Sequence, residues 1–130
     1  MKQLRDNLWI GNIDSPQNPE ILKQNGITAI LNVAFNVTNP QYNPADFRMV
    51  QINLDDDSDN PFYLLRLTID TLKIMWQEKE KVLVHCQLGK SRSTWVICQT
   101  IAELEKREID DVLKEIQEKY PEAIKGPLFI

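Results

Sequence analysis

The stretch His85-Cys86-Gln87-Leu88-Gly89-Lys90-Ser91-Arg92-Ser93 follows directly on the apolar run Val82-Leu83-Val84. It sets a cysteine at the end of an expected strand, an arginine six positions on, and a glycine between them, with a helix-like segment afterwards. A short loop between a strand and a helix turns its backbone N–H groups inward and makes a nest for an anion. The helix adds its unpaired N-terminal N–H groups and the positive end of its dipole. Arg92 adds a planar fork that holds two phosphate oxygens at once. The same field favours ionised sulfur, so the spacing predicts a Cys86 thiolate at the floor of a phosphate cradle. That arrangement suits in-line attack on phosphorus and a covalent phosphocysteine.

Other readings of Cys86 are weaker. A cysteine protease needs a base beside its thiol. His85 is the one histidine in the chain, and neighbouring strand residues point to opposite faces, so it is badly placed to take the Cys86 proton. Two cysteines twelve apart and one histidine are too few ligands for zinc. A Cys86–Cys98 disulfide would span too much helix for its geometry. An inert, buried cysteine would leave unexplained the glycine, lysine and arginine in the next six residues.

The elements that must position this loop can be read along the chain. Leu8–Gly11 is a short strand. Asn18 caps a helix with Pro19 at its first position, and Asn25-Gly26 stops it. Ile27–Val33 reads as a buried strand. Residues 34–46 carry Pro40, Pro44 and three asparagines and read as loop. Arg48–Leu54 is a further strand. Asn60-Pro61 opens a helix with Phe62, Leu65, Ile69, Leu72 and Met75/Trp76 at helical spacing. Lys81–Val84 is the strand that feeds the loop. The segment from Ser91 to Lys106 is apolar nearly all round and is expected to be central, with Trp95 and Cys98 in the core. Ile109, Val112, Leu113, Ile116 and Tyr120 form one face of a last helix, ended by Pro121. Strands alternating with helices predict an α/β fold: one domain over residues 1–130, with a largely parallel central sheet of about four to five strands covered on both faces by helices.

Composition narrows the function classes. A chain of 130 residues, 42% hydrophobic and 26% charged, supports one real core. Its net charge of −4 predicts no general affinity for nucleic acid or anionic membranes, while leaving room for a local basic pocket. No apolar run approaches the ~18 residues of a membrane span. Met1–Asn7 has no apolar h-region, and two cysteines are no disulfide scaffold, so a cytoplasmic location is expected.

His85-Cys86, five residues, then Arg92-Ser93, with Gly89 in the middle, resembles the signature of the cysteine-dependent protein tyrosine phosphatase superfamily. The Ser91-Arg92-Ser93 ending resembles its dual-specificity branch. Leu8-Trp9-Ile10-Gly11-Asn12 and Gly26-Ile27-Thr28-Ala29-Ile30-Leu31-Asn32-Val33 resemble that branch's first strand and its "GIT-x-hydrophobic-LNV" segment. The resemblance runs over residues 8–120. It implies a protein tyrosine phosphatase-like fold and hydrolysis of phosphotyrosine and phosphoserine/threonine in proteins. Cys86 attacks, and Arg92 with the backbone N–H groups of Gln87, Leu88, Gly89, Lys90 and Ser91 binds the phosphoryl group.

The resemblance also implies a general acid: an aspartate some thirty residues before the cysteine. Aligning Gln51-Ile52-Asn53-Leu54-Asp55-Asp56 with the family's acidic pair selects Asp56, with Asp55 the runner-up and Asp57 third. For two of the three, a solvated acidic turn is the ordinary reading. Ser93 takes the place of the hydroxyl that helps the thiolate leave, and His85 that of the residue that orders the loop and favours ionised sulfur. The implied chemistry needs no metal and no cofactor. Gly89 is explained by backbone conformation or by close approach of phosphate.

Lys90 is either a solvated rim lysine or a reader of a second phosphate. The second reading points to phosphoinositides or RNA 5′ phosphates, the one case in which a nucleic acid enters. A non-catalytic phosphate-binding module and a sulfur-transfer or arsenate-reducing enzyme also use such loops. The expected partner is a phosphorylated protein or other phosphomonoester, and a monomer is expected. The segment Tyr120-Pro121-Glu122-Ala123-Ile124-Lys125-Gly126-Pro127 departs from the family, lacking its usual arginine and Pro-Asn pair.

Overall fold

The most continuously apolar stretches become the centre of the sheet. In the computed structural model, which describes residues 1–34, 36–57 and 59–129, five strands are present. They are β1 (Lys2–Arg5), β2 (Leu8–Gly11), β3 (Ala29–Ala34), β4 (Arg48–Leu54) and β5 (Val82–His85). They lie in the order β1-β2-β5-β3-β4. β2, β5, β3 and β4 pair in parallel, and β1 pairs antiparallel with β2 at the edge. β3 and β5 are buried along their whole length, as strands covered on both faces require.

Four α-helices cover the sheet: α1 (Pro19–Gln24), α2 (Phe62–Gln77), α3 (Arg92–Glu105) and α4 (Ile109–Lys119). Strand alternation sorts the core into two faces. Leu8, Ile10, Leu31, Val33, Val82 and Val84 pack in the larger core with residues of α2, α3 and α4. Trp9, Ile30 and Leu83 pack in the smaller one with Leu22, Ile27 and Phe47. α3 is buried at ten positions, including Trp95 and Cys98, as its all-round apolar character predicts. Asn18 caps α1 as expected, its side chain accepting from the backbone N–H groups of Glu20 and Ile21.

Three details differ from the sequence reading. β1 is an added strand with a single buried apolar residue, Leu4, and no strand pattern of its own. It is held from outside by pairing with β2, by Lys119 Nζ donating to the Leu4 carbonyl at 2.8 Å, and by Arg5 paired with Glu105 and Glu115. Phe62, expected on the buried stripe of α2, is 79% exposed. It sits in the first turn, where a helical side chain leans back toward the N-terminus and overhangs the end of the core. Asn60-Pro61 opens α2 where expected, but Pro61 stands at the N-cap position and the helix has no side-chain cap.

Candidate active site

Parallel pairing brings the carboxyl ends of β2, β3, β4 and β5 to one edge of the sheet, with Gly11 opposite His85 and Asn32 opposite both His85 and Gln51. Ligand sites in open α/β sheets form outside this edge. The segments leaving the four strands supply Ile13, Asn36, the aspartate run and the loop 86–91.

The loop's carbonyls are occupied from outside. The Cys86 carbonyl lies 3.2 Å from His85 Nδ1. Ile13 N–H donates to the Gln87 carbonyl, and Ile124 N–H to the Lys90 carbonyl, both at 2.9 Å. Among the described residues, none of the backbone N–H groups of residues 87–91 has a hydrogen-bond partner. Carbonyls turned outward leave the amides turned inward, which is the nest the sequence predicts. The start of α3 is also uncapped: Ser91 makes no capping bond, and its buried hydroxyl has no partner among the described residues. An anion placed in the nest would complete both sets of donors.

Gly89 sits behind the nest. Its φ is +72°, and a Cβ there would lie 2.8 Å from both the Gly11 carbonyl oxygen and the Tyr120 hydroxyl. The glycine is therefore required by the left-handed backbone and by what packs on its outer side. Gly126 has a similar role: a Cβ there would run into the Ser91 side chain. Residues 120–126, within the segment that departs from the pattern the sequence resembles, thus form the outer support of the loop.

Cys86 is 2% exposed, and its Sγ lies 3.3 Å from Ser93 Oγ. A cleft of about 100 Å³ opens over it, lined by Asp56, Leu88, Lys90, Arg92 and Ile124, with Gln87 and Ser91 completing the wall. Asp56 is the one aspartate of the run that lines this cleft. Asp57 accepts from the Asp59 N–H at 2.8 Å. The Asn60 side chain braces the turn from beneath, accepting from the Asp55 N–H and donating to the Asp55 and Asp57 carbonyls.

Arg92 is 5% exposed. Its Nη1 donates to the Leu54 carbonyl at 3.1 Å and to Asn36 Oδ1 at 3.2 Å. Its Nε is buried without a partner among the described residues. His85 is fully buried and lies beneath the loop rather than in the cleft. Burial lowers its pKa, against the raising effect of its bond to the Cys86 carbonyl. A carbonyl only accepts, so this bond needs a proton on Nδ1, and His85 braces the loop as a donor.

The cleft thus gathers Cys86, Gln87, Leu88, Lys90, Ser91, Arg92 and Asp56, with Ser93 against the sulfur. Sequence reasoning missed Asn36, the Leu54 carbonyl, Asn60 as a brace, Ile124 and Gly126. Gly126 alone carried a signal, as a glycine in a segment without helical or strand pattern.

The sheet and this loop are those of the cysteine-dependent protein tyrosine phosphatase superfamily. Residues 8–130 match the family "Dual specificity phosphatase, catalytic domain", and the chain belongs to that family. It is similar to the protein phosphatase Slingshot of Drosophila melanogaster, 28% identical over 117 residues that cover 88% of this chain and 11% of the relative. It is also similar to dual specificity protein phosphatase 1 of Arabidopsis thaliana, 24% identical over 127 residues covering 98% and 64%. Human DUSP28 shares the fold, with a TM-score of 0.86 at 19% identity, covering 99% of this chain and 90% of that one. The chain spans about a tenth to two thirds of the length of these two curated relatives. Among the described residues, no helix is long and apolar enough to cross a membrane.

Proposed function

We propose that this protein hydrolyses phosphate monoesters, phosphotyrosine and phosphoserine/threonine in proteins, through a phosphocysteine intermediate. The observation that carries this is one cleft holding Cys86, Arg92 and Asp56 over a nest of unpaired amides. The Cys86 thiolate attacks phosphorus in line as the bond to the leaving oxygen breaks. Asp56 gives that oxygen its proton. Arg92 and the amides of residues 87–92 hold the three equatorial oxygens and their growing charge. Water then attacks the phosphocysteine, Asp56 takes its proton, and the P–S bond breaks. Ser93 Oγ, at 3.3 Å, donates to the departing sulfur.

Aryl phosphate turnover by the wild type, abolished in Cys86→Ser, tests this reading. No turnover by the wild type, or retained turnover in Cys86→Ser, overturns it.

A second reading rests on Lys90, which lines the same cleft. A cation beside the reacting phosphate favours a substrate with further negative charge, such as a phosphoinositide or an RNA 5′ phosphate. Rates measured side by side on phosphotyrosine and phosphothreonine peptides, phosphoinositide and RNA separate the two. We extend the first reading to a monomer in the cytoplasm; two buried, unpaired cysteines fit a reducing compartment.

A further inference from the structure

Asn36 belongs to neither the loop nor the aspartate run, yet its side chain bridges both ends of the loop. Its Oδ1 accepts from Arg92 Nη1 at 3.2 Å, and its Nδ2 donates to Gln87 Oε1 at 2.6 Å. The amide orientation is fixed by chemistry, because arginine offers only donors. The backbone that carries Asn36 is itself anchored. Buried Asn32 and exposed Gln51 both donate to the Val37 carbonyl, at 2.7 and 2.9 Å, and Gln51 also donates to the Ala34 carbonyl. Two side chains from β3 and β4 thus hold the turn from which Asn36 reaches the loop.

A guanidinium can meet a phosphoryl group end-on, through both Nη atoms, or side-on, through Nε and Nη2. Here Nη1 is taken by the Leu54 carbonyl and Asn36 Oδ1, while Nε and Nη2 make no hydrogen bond among the described residues. We propose that Asn36 is a positioning residue that locks the rotation of the Arg92 guanidinium, so that its Nε/Nη2 edge meets the phosphoryl oxygens, while holding Gln87 in the wall of the cleft. This deepens the phosphatase reading and rests on it. The bond to Leu54 alone leaves the plane free to turn about the Nη1 contact; the bond to Asn36 removes that freedom.

The test compares wild type with Asn36→Ala and Asn36→Asp by three measurements: tungstate affinity, aryl phosphate kinetics and the Arg92 Nε–H resonance in NMR. Loss of a hydrogen bond to a charged group corresponds to roughly 10-fold or more in binding. Asn36→Ala is expected to weaken tungstate affinity and raise KM by about 10-fold each, to broaden the Arg92 resonance, and to leave Tm unchanged because Asn36 is exposed. Asn36→Asp keeps an acceptor for Nη1, so its Arg92 resonance stays sharp, while its added negative charge still weakens tungstate binding. A merely structural role predicts a lower Tm and a lower kcat with tungstate affinity and KM untouched, and that result overturns the proposal. So does a sharp Arg92 resonance with wild-type anion affinity in Asn36→Ala. Tungstate binding and the resonance need no turnover. A wild type that binds tungstate without hydrolysing aryl phosphate therefore defeats the phosphatase reading while these two comparisons still decide the role of Asn36.

Discussion

Arg92 Nη1 donates to the carbonyl of Leu54 at 3.1 Å, across thirty-eight positions of sequence. Leu54 is the last residue of β4, and Asp56 follows two positions later. The arginine proposed to cradle the phosphoryl group therefore also holds the strand end from which the aspartate run hangs. Asp56 and the loop 86–92 share one anchor.

That double use makes Arg92→Lys a severe change despite the conserved charge. Lysine offers a point charge in place of the planar fork. We expect kcat/KM on an aryl phosphate to fall by about 10²–10³-fold. A fall under about 10-fold would show that charge alone suffices.

On the proposed mechanism Asp56 gives the leaving oxygen its proton, so Asp56→Asn is expected to lower kcat on an aryl phosphate by about 10²–10⁴-fold. Asp55 and Asp57 do not line the cleft, so Asp55→Asn and Asp57→Asn should keep the wild-type rate. Steady-state kinetics of the three variants read this directly. A wild-type rate in Asp56→Asn, or a loss confined to one of the other two, contradicts the assignment.

Gly89→Ala combines a φ of +72° with a Cβ pressed to 2.8 Å from a backbone oxygen of Gly11. Strain of this kind costs on the order of 1–3 kcal/mol. A lowered Tm should appear together with lost tungstate binding, because relief of the clash moves the nest. Wild-type Tm and anion affinity in this variant would show the loop to be softer than its packing implies.

The two thiols should differ in reactivity. Cys98 is fully buried in α3, and burial, with the charge of Glu115, pushes its pKa up to about 12. Cys86 opens on the cleft. Iodoacetamide near neutral pH should label Cys86 and spare Cys98, as read by peptide mass spectrometry. Equal labelling of both in folded protein would refute this.

Glu103 on α3 ties that helix to α2. Burial raises its pKa, but hydrogen bonds from Arg66 and Lys73 outweigh this and bring it from 4.5 to about 2. A depressed carboxyl stabilises the fold above its unfolded value and loses that contribution as pH falls. Glu103→Gln should therefore cost about 1 kcal/mol at neutral pH, given the solvent screening of these pairs. The gap from wild type should close as pH falls from 4.5 toward 2. Urea unfolding at several pH values reads both, and a gap independent of pH removes the electrostatic explanation.

The sequence by itself determined the chemistry-bearing loop and most of the elements around it. Cys86, Gly89, Arg92 and Ser93 stand close together in the chain, and strand–loop–helix geometry is local, so residue type and spacing are enough to read a nest. β3 and β5 were legible because strands covered on both faces must be continuously apolar, and α1 because Asn18 and Pro19 act locally. Only the tertiary structure decided what supports the site. β1 depends on its partner strand and distant ion pairs. Phe62 lies beyond the end of the core. Asn60 braces the aspartates. Asn36, Ile124 and Gly126 reach the loop from segments far away in sequence. Their roles are hydrogen bonds and close contacts between distant residues, and a pattern of neighbours along the chain carries no record of them until parallel pairing brings the strand ends to one edge.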